Sequence, residues 1–140
     1  HSWPAGLTRI GKQCFDNCRK IEKLPPWPKT LTYIDESGFF KLTALLEIPP
    51  WPEEMTKFSE LVFYSCDSVK VIPPWPEKVE VIGHRVYAFS KNIEVIPPFP
   101  KGLFQYDDET FCACKQINEE GKAILAEIKK RKGLHVVHVA

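Results

Sequence analysis

An aromatic residue followed by proline recurs every 24 residues along this chain, at Trp3, Trp27, Trp51, Trp75 and Phe99, with no insertion between them. Pro4, Pro28, Pro52, Pro76 and Pro100 follow, and proline pairs precede the last four aromatics: Pro25-Pro26, Pro49-Pro50, Pro73-Pro74 and Pro97-Pro98. A fixed period of this length marks a stack of similar coils, because one such unit cannot bury its apolar side alone and must lay it against the next.

The same register holds in other columns. Leu7, Leu31, Met55, Val79 and Leu103 form one, followed by Ile10, Ile34, Phe58, Ile82 and Tyr106. Phe15, Phe39, Phe63, Tyr87 and Phe111 make an aromatic column, and Ile21, Leu45, Val69, Ile93 and Ile117 another apolar one. Leu24, Ile48, Ile72 and Ile96 close the unit, and Glu120 breaks that column. Like residues stacked over like give a continuous core, which sets the expected fold: an α/β repeat solenoid with short parallel strands.

Proline lacks an amide donor, so a strand must stop at each proline pair. The apolar segments Ile21 to Leu24, Leu45 to Ile48, Val69 to Ile72 and Ile93 to Ile96 are therefore read as the strands of the principal sheet. Leu31 to Ile34 and its equivalents can form a second one. Gly, Asp or Ser opens each of the stretches leading to the aromatic column, as expected for a turn entering a single helical turn. The period ends after Ile117. Residues from Asn118 to Gly133 are read as one helix, with Asn118 as N-cap, Glu119 and Glu120 in the first turn, and basic residues in the last. Gly133 would be its left-handed terminator, and a strand from His135 to Val139 would follow. The expected division is thus a solenoid of about five repeats over residues 1–117 and a capping helix with a short strand over residues 118–140.

Composition narrows the function. Lys and Arg number 19 against 18 Asp and Glu, unlike the basic field of a nucleic-acid binder. No apolar run reaches the roughly 20 residues of a membrane-spanning helix. The chain opens inside a repeat, at Trp3, without the atypical end unit that shields a solenoid core, which reads as a processed protein or a fragment. Five cysteines cannot all pair. Cys18, Cys66 and Cys114 share a column with Leu42 and Ser90, which marks a small packed position. Reduced structural thiols and an intracellular, reducing compartment are favoured, with a surface or secreted location as the alternative.

The run Ile-Gly-x-x-x-Phe-x-x-Cys-x-x-Ile-x-x-Leu-Pro, from Ile10 to Pro25, resembles the BspA-like class of leucine-rich repeats. The Ile-Pro-Pro-Trp-Pro-x-x-Val run from Ile72 to Val79 is similar to the Leu-Pro element of bacterial effector repeats. The resemblance spans residues 3 to 117. It implies the leucine-rich-repeat architecture and a general binding role, although the Trp-Pro step is typical of neither group. Those families supply surface adhesins and secreted effectors.

No Gly-rich phosphate loop, nucleophile elbow or His-Glu-x-x-His is present, so no enzyme, catalytic residue or cofactor is expected. Cys112, Cys114, His135 and His138 do not have the spacing of a familiar zinc module, and no metal site is expected. The Trp column is read as core, with a partner-facing ladder or a polyproline ligand as alternatives. Lys129 to Lys132 are read as complementing the helix dipole. The binding surface is expected on an outward row of Lys23, Glu47, Val71 and Val95, flanked by Pro73 and Pro97, where an apolar patch is unusual for a surface left to water. If the Leu31-to-Ile34 segments form the principal sheet, the exposed row is instead Tyr33, Lys57, Val81 and Gln105. The function expected is a protein-interaction or scaffolding module with a protein partner. A constitutive subunit of a large, possibly organellar, assembly is one alternative, and a fragment of an adhesin or effector is another.

Overall fold

The computed structural model describes residues 3–15 and 18–137. Six short strands form one parallel sheet in chain order: β1 (Arg9–Ile10), β2 (Tyr33–Ile34), β3 (Lys57–Phe58), β4 (Val81–Ile82), β5 (Gln105–Asp107) and β6 (His135–Val137). Each of the first four pairs with its successor in the register of the repeat, Tyr33 beside Lys57 and Ile34 beside Phe58, for example. The inward member of each pair is Ile10, Ile34, Phe58, Ile82 or Tyr106, and all five are buried.

This corrects the expected strand assignment. The principal sheet is built by the segments after the Trp-Pro step, not by Ile21 to Leu24 and its equivalents. The latter contribute a single isolated bridge, Val71 beside Val95. The reason is visible in their burial. Val69 and Ile72 face inward while Lys70 and Val71 are both exposed, an in-out-out-in rhythm instead of the two-residue alternation of a pleated strand. A segment so wound cannot sustain a ladder.

The expected helical turn before the aromatic column is also absent. Its place is taken by a strip in which Gln13, Ser37, Leu61 and Arg85, and then Lys41, Ser65, Phe89 and Ala113, all adopt positive φ, between 54° and 62°. Left-handed residues at both ends of the strip turn its alternate amides toward the next coil. Thus Ser37 N donates to Glu60 O at 3.0 Å, Phe39 N to Val62 O at 2.9 Å and Lys41 N to Tyr64 O at 2.8 Å, and the pattern repeats one coil later. Each coil is therefore tied to its neighbour on two sides, by sheet and by strip.

Helix α1 (Glu119–Ile128) is shorter than expected. Asn118 caps it, its side chain accepting from Gly121 N at 2.8 Å. Gly121 and Ile128 are the buried helix residues, and a Cβ on Gly121 would lie 2.5 Å from Ile117 Cγ2, so only glycine lets the helix approach the last coil this closely. Because the helix ends at Ile128, Lys130 to Lys132 lie beyond its last turn, and Gly133 (φ 79°) serves the turn into β6 instead of capping the helix. Arg131 instead donates to Pro100 O at 2.6 Å and Phe99 O at 3.3 Å, pinning this turn to the last Phe-Pro corner. Strand β6 pairs with β5, Gln105 beside His135, and continues the sheet. His138 and Val139 of the expected strand lie outside the described residues.

Candidate functional site

Three surfaces compete for a partner: the outward row of the sheet, the Trp-Pro corners, and the ridge carrying Val71 and Val95. The sheet row is Arg9, Tyr33, Lys57, Val81, Gln105 and His135. It is polar and partly self-satisfied. Arg9 pairs with Asp35 at 2.5 Å and lies over the Tyr33 ring, with the guanidinium carbon 5.2 Å from its centroid. The Arg9 guanidinium also holds the Asp35 carboxyl below its usual range, helped by the Glu36 amide. Deeper in the same groove His84 Nδ1 meets the buried Asp107 carboxylate, which also accepts from Glu109 N at 2.7 Å.

The Trp corners are packing elements. Trp27, Trp75 and Phe99 are buried, and Trp3 and Trp51 are partly so. Trp3, Trp27 and Trp51 stack with centroid separations of 5.6 and 4.8 Å, and each of the first two indoles donates to a proline carbonyl one coil on, Pro25 at 3.1 Å and Pro49 at 2.9 Å. The proline pairs thus supply acceptors as well as bends, a role the sequence reading did not foresee.

The thiol column behaves similarly. Cys66 Sγ donates to Phe39 O at 3.4 Å, Ser90 Oγ to Phe63 O at 2.8 Å, and Cys114 Sγ to Tyr87 O at 3.2 Å. Cys and Ser interchange here because each offers one donor to the same carbonyl. Burial pushes both thiols up to about 12, so they stay protonated. All five cysteines are free. Among the described residues no cluster of His, Cys, Asp and Glu is arranged to hold a metal ion.

The ridge is different. Lys23, Glu47, Val71 and Val95 are all exposed, with Pro73 and Pro97 half-buried beside them. Val71 is 56% and Val95 42% exposed, and Leu46 at 53% extends the apolar run into the preceding coil. Leu46 was missed because its column otherwise reads Glu22, Lys70, Glu94 and Asn118, which hides a lone leucine. Backbone bonds fix the ridge: Leu46 N to Glu22 O at 3.0 Å, Ile72 N to Val95 O at 3.2 Å and Glu94 N to Lys70 O at 2.7 Å. None of Lys23, Glu47, Lys70 and Glu94 is ion-paired among the described residues. The ridge thus offers three aliphatic side chains on stiff backbone, with uncommitted charges beside them.

A parallel one-sheet stack of this kind, with a single helix at its end, defines a leucine-rich-repeat solenoid. The chain belongs to the BspA-type leucine-rich-repeat family: the model of that repeat region matches residues 1–118 in six copies. Two solved structures are similar. One is the leucine-rich repeat protein of T. pallidum, 18% identical, with a TM-score of 0.62 over 92% of this chain and 70% of that one. The other is a leucine-rich repeat protein from Bacteroides ovatus ATCC 8483, also 18% identical, with a TM-score of 0.58 over 83% of this chain and 35% of that one. At this identity both show the fold alone. No curated protein matches the chain. Leucine-rich-repeat proteins generally mediate protein–protein interactions. Among the described residues no helix is long and apolar enough to cross a membrane.

Proposed function

We propose that the chain is a protein-recognition module that holds its partner against the ridge of Leu46, Val71 and Val95, bordered by Lys23, Glu47, Pro73 and Pro97. The observation that carries this reading is the exposure of three large aliphatic residues in three consecutive coils, on backbone that inter-coil hydrogen bonds hold still. Contiguous apolar surface tends to mark an interaction site, and a rigid one loses little conformational entropy on binding. The reduced thiols support a reducing compartment, since disulfides are rare there.

The test is Val71→Lys with Val95→Glu. The double variant keeps its circular dichroism and thermal midpoint and loses capture of the natural partner from a native extract. Unfolding would return the valines to a packing role, and undiminished capture would move the site off the ridge.

A further inference from the structure

The centre of the ridge carries an ordered set of charges beside its valines. Lys70 and Val71 stand side by side in one coil, Glu94 and Val95 in the next, and all four are exposed. Backbone bonds lock the two pairs together: Glu94 N donates to Lys70 O at 2.7 Å, Val95 N to the same oxygen at 3.2 Å, and Ile72 N to Val95 O at 3.2 Å.

Elsewhere in the stack, a cation and a carboxylate at matching positions of adjacent coils join. Lys12 meets Glu36 at 3.0 Å, Lys78 meets Glu54 at 2.7 Å and Arg85 meets Glu109 at 2.7 Å. Lys70 and Glu94 have the same separation of one repeat, yet neither is ion-paired, with the other or with any described residue. One cation and one carboxylate are thus presented to the outside, each next to a valine.

This set is its own complement. Consider a two-fold axis lying along the chain direction at the ridge, between these two coils. A second copy turned about it sets its Glu94 opposite Lys70 and its Val95 opposite Val71, and symmetry supplies the reverse pair of contacts. Neighbouring settings fail. An axis through the coil of Lys70 puts lysine on lysine and Glu47 on Val95. An axis through the coil of Glu94 puts carboxylate on carboxylate. An axis between the coils of Leu46 and Lys70 puts Glu47 on Val71 and Glu22 on Glu94. In the favoured setting Glu47 meets Glu119, but both are exposed at the rim, where water and salt screen the repulsion.

We propose that the partner seated on the ridge is a second copy of this chain, paired about that axis with Lys70 on Glu94 and Val71 on Val95. The proposal rests on the ridge being the contact face and adds what that face meets. Charge complementarity selects both the partner and the register, since only one setting satisfies the charges and the valines together. The contact is small beside a standard interface, so the pairing is weak and grows with concentration.

Sedimentation velocity of the full chain, from about 10 μM to about 1 mM, tests it. The wild type shifts from monomer toward dimer. Lys70→Glu or Glu94→Lys sets like charges opposite each other and weakens the dimer by about tenfold or more. An equimolar mixture of the two variants recovers it, because each then offers the sign that the other lacks. Val71→Glu with Val95→Glu abolishes the dimer while circular dichroism and the melting midpoint hold. A wild type that stays monomeric throughout, single variants that the mixture does not rescue, or a dimer that survives the valine substitutions would each overturn the proposal. The recognition role of the ridge is read separately, from capture of the natural partner by Val71→Lys with Val95→Glu at dilute, monomeric concentration. Loss of that capture by a chain whose wild type never dimerises would sink the self-pairing and leave the ridge as the binding face.

Discussion

Coils one and two treat their tryptophans differently from coils three and four. Trp3 and Trp27 stack and send their indole N–H groups to proline carbonyls. Trp51 and Trp75 sit in the same sequence register, yet both indole nitrogens are buried without a partner. The difference traces to another column. Where the earlier coils have Ile10 and Ile34, coil three has Phe58, whose ring stands edge-on between the two indoles, 4.8 Å from Trp51 and 5.2 Å from Trp75. The Tyr87 hydroxyl faces Trp51 without reaching hydrogen-bond geometry, and burial raises the phenol so that it stays neutral. A repeat in sequence therefore does not guarantee a repeat in packing; one enlarged residue redirects two neighbours.

This contrast can be broken at several points. Trp27→Ala should cost about 3–5 kcal/mol for the lost ring and about 1 kcal/mol more for the hydrogen bond to Pro49. Trp75→Ala should cost the ring alone. Chemical denaturation of both variants reads the gap, and equal losses would mean that the indole hydrogen bonds contribute nothing.

Base should act on the thiol column next. Cys66 holds its proton to about 12 in the fold against 9.0 as an ordinary thiol. A raised folded pKa leaves stability unchanged below the unfolded value and removes it as the unfolded thiol ionises first. The loss is about 1.4 kcal/mol per pH unit for each such thiol, over the window from 9.0 to about 12. Cys66→Ser should flatten that decline, since Ser90 already shows that a hydroxyl suits the column. Denaturation midpoints across the alkaline range would decide it.

Phe58→Ile would sharpen the comparison by making coil three resemble coil two. It should cost about 1–3 kcal/mol for the missing volume, yet slow hydrogen exchange at the Trp51 indole as that N–H regains a proline carbonyl. Unchanged exchange would clear Phe58 of blame. Smallest of all, Tyr87→Phe should leave stability level or raise it by up to about 1 kcal/mol, because it removes an unpaired buried hydroxyl. A clear loss in thermal denaturation would show that the hydroxyl has a partner.

How much of this was legible beforehand depended on what a column of residues reveals. Which residues face inward was readable, because Leu31, Phe39, Leu45 and Ile48 repeat with their kind and burial follows type. Which inward segment makes the sheet was not. The proline-bounded runs look like strands by composition, and only the exposure of both Lys70 and Val71 shows that they do not alternate. The strip was misread as helical because Gly, Asp and Ser suit a helix start and a left-handed turn alike. Of the ridge, Val71 and Val95 were found as the apolar end of the outward row that begins with Lys23 and Glu47, and Leu46 was lost in a charged column.

The strip ladder has an electrical side. Its inter-coil amides all point forward along the stack, from Gln13 to Glu36, Ser37 to Glu60 and Leu61 to His84, whereas a sheet, whose strand dipoles alternate, nearly cancels. Peptide dipoles aligned head to tail add, as they do in a helix. Here, however, the positive pole falls at the carboxy-terminal coil and the negative pole at the first, the reverse of a helix drawn in the same direction. The side chains match: Lys12 stands at the first end of the strip, while Asp108 and Glu109 stand at the last. A solenoid with hardly any helix thus gains a weak polarity of its own along its length.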